Sequence, residues 1–348
     1  MKTVKKIFYP LIIFVICIAA AACGSDNEQQ QTSPEETTAA ETVEAAQSGA
    51  ASCSRDIFAM DTYMTVTCYG DRCEEAADAA EAEIKRLDDL LSTGNPASEI
   101  SLINSTGSGV LSEDSRAMVE ESMRLYEITD GLYDITIYPV MKLWGFTDQN
   151  YRVPEKEELE KVRSAVGSNR LKYDNGTLTL DENQGIDLGA IAKGYTSARL
   201  TEIFGEYDLS GGVISLGGNV QLYGTKPNGQ LWKCGIREPD ADASVQDMMG
   251  VLETEACAVI TSGAYERYFT GEDGNTYHHI INPHTGYPAV NGLKSVTIVS
   301  SNGMLADALS TACFVMGKDG AEEFWRTYGD DFEMILMTED QEIYITEG

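Results

Sequence analysis

The segment LADALSTACFVMG places an acid and a hydroxyl one helical turn apart. Asp307 and Thr311 are four residues apart, so a helix brings both side chains to one face. The neighbouring residues are small or apolar, which predicts that this face is buried, where a carboxylate without a partner is costly. A carboxylate and a hydroxyl form an oxygen set that suits Mg²⁺. On spacing alone, a hydrogen bond within the helix explains the pair at least as well.

A second segment, GIDLGAIAKG, is typical of a strand that leads into a helix. Asp187 ends the strand, and a helix is predicted over residues 189–204 with small residues in its first turn. Free backbone N–H groups near Gly189 would receive phosphate oxygens, and Lys193 would add a positive charge one turn further on. The spacing of a P-loop is absent. An ordinary strand-to-helix junction is the alternative.

All three histidines of the chain fall within YHHIINPHTGYP. His278 and His279 are adjacent, so on a strand they face opposite sides and at most one serves a given site. The Asn-Pro that follows prevents a helical histidine pair, and too few ligands remain for a zinc hydrolase. One histidine beside a phosphate site would act as acid, base or anion partner. A purely structural role is the alternative.

Two glycine-containing segments are weaker signals. Gly217 and Gly218 lie between strand-like runs in SLGGN, where positive φ and close approach to a ligand are possible. Thr261, Ser262 and Gly263 follow an apolar strand and would bring hydroxyls to a site. Both segments are also compatible with plain turns.

The elements that would position these residues come in mixed order. Apolar spacing and capping residues predict helices over residues 74–91, 112–129, 154–166, 189–204 and 302–316. Alternating or β-branched runs predict one or two strands in 57–69, a hairpin in 170–181, several strands from residue 211, a strand at 294–300 and a closing hairpin. A regular βαβ alternation is absent. The pattern therefore predicts an α+β fold with mixed, largely antiparallel sheets flanked by helices.

Composition limits the classes of function. The 348 residues include 43% hydrophobic residues, enough for a substantial core, and carry a net charge of −31. A surface this acidic repels phosphate backbones, so we expect no nucleic-acid partner.

The N-terminus is typical of a lipoprotein signal. Lys2, Lys5 and Lys6 precede an apolar run over residues 7–19, and small residues then lead to Cys23. We expect a signal peptide over 1–22, lipidation of Cys23, an acidic flexible linker over 23–52 and one domain over 53–348. Such a protein would be anchored to the cell membrane on its extracytoplasmic face. An ordinary signal peptide with an accidental cysteine is the alternative.

Eight cysteines are present, and six lie beyond Cys23. None of them forms a CxxC pair, which argues against a zinc site. The predicted compartment permits disulfides. Cys257 and Cys313 lie in apolar contexts that favour buried thiols.

Several motifs occur together in one order and carry a family resemblance. They are ASEISLIN, GLYDITIYPVMKLWGF, DLGAIAKGY, SLGGN, ITSGAYERYF, HHIINPHTGYP and ADALSTACFVMG. With them, the chain resembles the FAD:protein FMN transferases of the ApbE family over roughly residues 55–347. The resemblance implies the ApbE-like flavin transferase fold, in a family where lipoprotein anchors are common.

The resemblance also implies a reaction and a set of site residues. Such proteins split FAD with Mg²⁺, transfer FMN to a Ser or Thr hydroxyl of a partner flavoprotein and release AMP. By position, Asp307, Thr311 and the carbonyl of Ala190 would hold the metal, with Asp307 essential for catalysis and His279 the base. The FAD contacts would be Met60, Leu132, Tyr133, Asp134, Asp187, Lys193 and the backbone near Ile281.

Some questions stay open at this stage. Local groups such as Lys193 must overcome the acidic field of the chain if it is to hold an anionic dinucleotide. Gly94 stands where many relatives carry a Tyr, and Asn104 or an aromatic residue elsewhere is expected to compensate. An FAD pyrophosphatase that yields FMN and AMP, and a non-catalytic FAD-binding lipoprotein, are the alternatives. With the anchor, the family favours an acceptor in a membrane electron-transfer complex.

Overall fold

A computed structural model describes residues 1–4, 51–240 and 247–347 of the chain. The predicted signal segment from residue 5 onward, Cys23 and nearly all of the predicted linker lie outside the described residues. Within the described ranges the strands are β1 (Lys2–Val4), β2 (Ser52–Ala59), β3 (Thr62–Tyr69), β4 (Ser108–Val110), β5 (Lys172–Asp174), β6 (Thr177–Thr179), β7 (Gly211–Leu216), β8 (Asn219–Gly224), β9 (Trp232–Arg237), β10 (Met248–Thr254), β11 (Ala258–Gly263), β12 (Tyr268–Thr270), β13 (Thr276–His278), β14 (Leu293–Ser300), β15 (Glu333–Thr338) and β16 (Ile343–Ile345).

Helices alternate irregularly with these strands. The α-helices of the described residues are α1 (Cys73–Leu91), α2 (Glu99–Thr106), α3 (Glu113–Ile128), α4 (Tyr138–Trp144), α5 (Lys156–Arg163), α6 (Ala192–Glu206) and α7 (Gly303–Tyr328). Short 3-10 helices cover Ile135–Ile137, Ser168–Arg170 and Gly329–Asp331. None of the helices in the described ranges is both long enough and apolar enough to cross a membrane.

One large sheet organises the fold. Its strand order is β1-β16-β15-β14-β11-β8-β7-β3-β2, and every neighbouring pair is antiparallel. Three smaller sheets join β9 to β10, β12 to β13, and β6 to both β4 and β5. The predicted α+β class with largely antiparallel sheets is confirmed.

Three helices cover this sheet side by side. Helix α1 packs against β2 and β3, α6 against β7 and β8, and α7 against β11 and β14. Helix α6 lies between the other two and contacts both. The main core fills the space beneath α7, where Val296, Ile298, Leu309 and Phe314 are all buried. The site residues on α6 and α7 therefore lie on helices that pack directly against the large sheet.

Several local patterns led to the observed elements. The apolar spacing of α1 buries Ala77, Ala80, Ile84, Leu87 and Leu91, as predicted. The one or two strands predicted in 57–69 are the paired strands β2 and β3, and the hairpin predicted in 170–181 is β5–β6. Helix α7 is longer than expected, because Gly317 (φ 74°) bends the chain at the predicted end and a further helical stretch follows. Helices α2 and α4 were not predicted.

The expected start of α6 is wrong. The helix begins at Ala192, not Gly189, because Asp187 Oδ1 accepts the backbone N–H of Gly189 at 2.6 Å and holds a turn before the helix. Ile191 also has non-helical backbone angles (φ −141°, ψ −20°). Consequently the N–H of Gly189 is already occupied, and Lys193 lies at the helix start instead of one turn in.

The cysteines of the described residues are all free thiols. Cys313 is buried, as predicted, while Cys257 is only partly buried. Cys53 and Cys68 are directly opposite each other on β2 and β3, and both are buried. Burial, with the Cys73 thiol beside it, raises the pKa of Cys53 to about 12. These thiols therefore form part of the core instead of a reactive site.

Candidate active site

The residues that the sequence singled out for chemistry or binding line one cavity. Its volume is about 600 Å³, within the range of small-molecule sites. Segments far apart in the sequence converge on it, among them the β2–β3 turn, the loop after α3, the approach to α6, the segment after β13, and α7. The predicted residues among its lining are Met60, Leu132, Tyr133, Asp134, Asp187, Ala190, Lys193, His279, Ile281, Asp307 and Thr311.

Asp307 lies on α7 at the floor of this cavity, with only 4% of its surface exposed. Its Oδ2 accepts the backbone N–H of Gly194 at 2.8 Å, and its Oδ1 accepts the Asn219 side-chain amide at 2.9 Å. Both oxygens of the carboxylate therefore already accept a hydrogen bond. Burial of Asp307 alone does not require a bound cation, which is contrary to what the sequence suggested. A carboxylate has about four acceptor sites, and two remain for a further ligand.

Gly194 allows α6 to approach α7 closely enough for this bond. A Cβ at position 194 would lie 2.3 Å from the carbonyl oxygen of Gly303 and 2.5 Å from Cβ of Asp307. Neither neighbour can yield, since one is backbone and the other is held in the core. The glycine of AKGY is thus required by helix packing.

Hydroxyl groups stand beside Asp307. Thr311 lies one turn further along α7, as predicted, and its Oγ1 is 3.2 Å from Oγ of Ser262 on β11. Ser262 Oγ is also 2.7 Å from Oγ of Ser310. With the cavity-lining Ala190, the site offers a carboxylate, a hydroxyl and a backbone carbonyl, all of them oxygen donors that fit Mg²⁺. No group of three His, Cys, Asp or Glu side chains able to hold a metal occurs among the described residues.

The charge balance of the cavity differs from expectation. Among the described residues that line it, two are cationic, Lys193 and Arg267, and six carry carboxyl groups, namely Asp61, Asp88, Asp134, Asp187, Glu266 and Asp307. These side chains alone do not outweigh the acidic field, so the expectation that local groups overcome it stays a prediction that depends on a bound cation. A bound pyrophosphate would need further positive charge, which a divalent cation supplies.

His279 is arranged to accept a proton. Its Nδ1 lies 3.2 Å from the carbonyl oxygen of Arg267, which can only accept, so Nδ1 carries the hydrogen and Nε2 keeps its lone pair. Burial and the positive charge of Arg267 hold the pKa of His279 well below its usual range. The imidazole is therefore neutral at pH 7, the form that a general base requires.

The other two histidines have different roles. His278 is buried, its Nε2 donates to the carbonyl of Ala289 at 3.2 Å, and its Nδ1 accepts the N–H of Ile280 at 3.3 Å. It also packs edge-on against Phe314. His284 is exposed, in a turn where its N–H donates to Asn282. The prediction that only one of the adjacent pair faces the site is confirmed.

The predicted binding residues differ in what their side chains do. Asp134 accepts hydrogen bonds from Thr136 and Ser168, through both the backbone N–H and the hydroxyl of each. Its carboxylate thus holds the loop, and any ligand contact would fall to its other atoms. Met60 has positive φ (49°), as does Asp61 (57°), which the two-residue turn between β2 and β3 requires.

The residue expected to compensate for Gly94 is not Asn104. The Asn104 side chain exchanges two hydrogen bonds with the backbone of Ile186, at 2.8 and 2.7 Å. It thereby fixes the segment before Asp187, which forms no strand, so the prediction that Asp187 ends a strand is wrong. Gly94 itself lines the cavity, and so does the aromatic ring of Phe146. Phe146 is therefore a candidate for the aromatic residue that was expected elsewhere.

Sequence analysis missed Glu266 and Arg267. Only the hydroxyl groups of ITSGAYERYF were predicted to face a site, although Glu266 and Arg267 lie in the same motif. Glu266 lines both cavities, and desolvation by the surrounding protein raises its pKa to about 7, against the lowering effect of Lys193 and Arg267. Asn219 is the last residue of the SLGGN motif, but its hydrogen bond to Asp307 was not predicted.

Comparison with known proteins identifies the class to which this fold and site belong. The structure matches the ApbE protein of Thermotoga maritima with a TM-score of 0.80 and 32% identity, over 85% of this chain and 97% of that one. It matches the flavin transferase ApbE of Vibrio cholerae with a TM-score of 0.76 and 26% identity, again over 85% and 97%. The class is that of the ApbE flavin transferases.

The sequence gives the same result. The model of the ApbE family matches residues 60–336, and the chain belongs to that family. It is 33% identical over 271 residues to the FAD:protein FMN transferase of Vibrio cholerae, covering 75% of this chain and 80% of that protein. It is 30% identical over 287 residues to the transferase of the same name from Treponema pallidum, covering 76% and 78%.

Proposed function

We propose that the chain is an FAD:protein FMN transferase, which moves the FMN part of FAD to a Ser or Thr hydroxyl of a partner protein and releases AMP. One observation carries this function. Eleven residues chosen from sequence motifs line a single cavity, with oxygen donors around Asp307 and a neutral His279 among them. The relatives described above bear the name of this activity.

The metal site would consist of Asp307, Thr311 and the carbonyl of Ala190. Mg²⁺ bound there would neutralise pyrophosphate oxygens and stabilise the departing AMP. The need for such charge follows from the excess of carboxyl groups around the cavity. Gly194 and Asn219 hold the Asp307 carboxylate in place from the side, which fixes the direction of its remaining lone pairs.

The chain's own groups would perform the remaining work. The acceptor hydroxyl oxygen bonds to the phosphorus of the FMN phosphate, the P–O bond to AMP breaks, and the hydroxyl proton passes to Nε2 of His279. Lys193 would lie against the phosphate oxygens. Phosphoryl transfer depends mainly on alignment of the reacting groups and on stabilisation of charge. None of the roles assigned here requires a residue of the enzyme to act as a covalent nucleophile.

The N-terminal sequence supports a proposal for where the protein is located. We propose that cleavage before Cys23 and lipidation anchor the domain on the extracytoplasmic face of the membrane, with the acidic segment before residue 53 as a tether. This cleavage would also remove β1, so that β16 would form the edge of the large sheet. A flavoprotein subunit of a membrane electron-transfer complex would be within reach as acceptor.

Product analysis tests the activity. The purified protein is incubated with FAD, Mg²⁺ and the acceptor protein of the Vibrio cholerae transferase, with an EDTA-treated sample as control. We expect covalent flavin on the acceptor and AMP in solution, both abolished by EDTA. Free FMN and AMP without an adduct would identify a pyrophosphatase, and intact FAD bound one-to-one would identify a carrier.

A further inference from the structure

A second cavity of about 230 Å³ adjoins the first. The residues common to both linings are Met60, Asp61, Lys193, Thr261, Glu266 and Arg267. These residues form a shared wall, and Lys193 is the residue on it that we place against the phosphate. A group that enters the second cavity would thus reach the reacting phosphate from its own side.

The remaining walls of the second cavity include residues of β3, β9 and β11 and of the β7–β8 turn. Tyr63 on β3, Gly218 in the β7–β8 turn and Ile236 on β9 line it, and none of these three lines the larger cavity. Gly218 has φ 93°, and a Cβ there would lie 3.8 Å from Oε1 of Glu266. Gly218 therefore borders the Glu266 carboxyl group without a side chain of its own in the cavity.

An exposed aromatic pair marks the rim of this cavity. Phe58 and Tyr63 are 59% and 50% exposed, and their rings meet edge to face with centroids 5.0 Å apart. Rigid aromatic side chains that remain exposed beside a cavity are typical anchors for a protein partner. A small nucleotide bound inside the cavity would not need to contact Phe58 and Tyr63 at its rim.

Size and reaction geometry select the occupant. The cavity is smaller than the roughly 300–1,000 Å³ of a site for a drug-sized ligand, so a second dinucleotide does not fit, whereas a short stretch of polypeptide does. In phosphoryl transfer the attacking and leaving oxygens are roughly in line across the phosphorus. Two cavities that meet at one wall satisfy this requirement, with AMP leaving on one side and the hydroxyl arriving on the other.

We propose that the second cavity receives the segment of the acceptor polypeptide that carries the modified Ser or Thr, with Phe58 and Tyr63 holding an apolar residue beside it. This inference rests on the proposed transferase function. It assigns a site to the acceptor, and it gives Tyr63 a role in acceptor selection without contact with FAD.

The test is Tyr63→Ala, assayed with FAD, Mg²⁺ and the acceptor protein of the Vibrio cholerae transferase. We expect kcat/KM for the acceptor to fall by at least about tenfold, as for an aromatic interface anchor, with the FAD dissociation constant within about twofold of wild type. Tyr328→Ala is the matched control, because Tyr328 is 43% exposed but lines neither cavity. That control should retain wild-type kinetics.

A photoreactive benzophenone amino acid at position 63, compared with the same group at position 328, gives a readout independent of turnover. Crosslinking to the acceptor from position 63 alone supports the proposal. An unchanged kcat/KM for Tyr63→Ala, or a loss of FAD affinity that accounts for the whole effect, would overturn it. Absence of transfer by the wild-type protein would instead contradict the proposed function, so the two failures are distinguishable.

Discussion

The side chains of Asn219 and Asp307 are hydrogen bonded at 2.9 Å although they are 88 residues apart in the sequence. Asn219 follows the tight glycine turn between β7 and β8, and Asp307 projects from α7. With the backbone of Gly194 on the other oxygen, the carboxylate is fixed between the sheet and two helices. The proposed metal ligand is thus oriented by the fold before any ligand binds.

Removal of the Asp307 charge should abolish metal-dependent turnover. In Asp307→Asn the side chain keeps its shape and one acceptor, but it loses the negative charge that binds the cation. We expect transfer to fall by about 100-fold or more, since metal stabilisation of developing charge amounts to several kcal/mol. Initial rates across a Mg²⁺ titration measure the effect, with circular dichroism to confirm folding. Near-normal turnover at ordinary Mg²⁺ would remove Asp307 from the site.

Replacement of His279 should affect the rate more than FAD binding. We expect His279→Gln to lower kcat by about 10²–10⁴, the usual contribution of a positioned base. The matched variant is His278→Gln, which breaks a contact with Ala289 and should lower stability while kcat stays near wild type. Single-turnover rates and FAD titrations separate the two effects. Equal losses of kcat in both variants would contradict the assignment of the base.

The acid limb of the pH profile should lie unusually low. A histidine pKa well below 6.5 means that His279 stays neutral, and competent as a base, until the pH falls well under that value. Glu266, with a pKa of about 7, titrates nearer neutrality, so the profile is best recorded in Glu266→Gln. In that variant kcat/KM should be flat from pH 8 to 6.5. A limb centred near 6.5 would indicate an unperturbed histidine.

Gly194 offers a test of the packing that supports the site. Gly194→Ala forces a methyl group to within 2.3 Å of the Gly303 carbonyl oxygen, and we expect a loss of about 1–3 kcal/mol or more from overpacking. Gly205→Ala, on the same helix, meets only Oη of Tyr223 at 3.6 Å and should gain about 0.5–1 kcal/mol. Urea unfolding measures both. Equal stabilities would contradict the close contact between α6 and α7.

Membrane attachment should depend on one cysteine. Cys23→Ala removes the predicted lipidation site, so we expect the protein to leave the membrane fraction, whereas Cys17→Ala within the apolar segment should stay there. Fractionation and detergent phase partition measure the distribution. Retention of Cys23→Ala in the membrane fraction would exclude a lipid anchor at this position.

The motifs predicted the site better than the periodicity predicted the fold. The i, i+4 spacing placed Asp307 and Thr311 on one helix face, because that relationship is local and survives any packing. Conversely, α6 starts three residues later than its small residues suggested, since the Asp187 side chain competes for the first N–H group. The two groups are only two residues apart, so this turn was a local signal that the prediction of the helix start did not include.

Long-range partners were also beyond the sequence. Asn219 and Asp134 were visible in motifs, yet their hydrogen-bond partners depend on how distant segments meet. More acidic than basic side chains line the cavity. The net charge of the chain could not predict this excess, because the excess depends on which acidic residues face the cavity. Both facts bear directly on the need for a metal ion.

Mass spectrometry of the acceptor tests the central claim most directly. After incubation with the enzyme, FAD and Mg²⁺, tryptic peptides of the acceptor are sequenced while AMP is quantified in the same sample. The account predicts FMN in phosphoester linkage on one Ser or Thr, with one AMP released for each modified hydroxyl. AMP release with an unmodified acceptor, or flavin attached through any other bond, would contradict it.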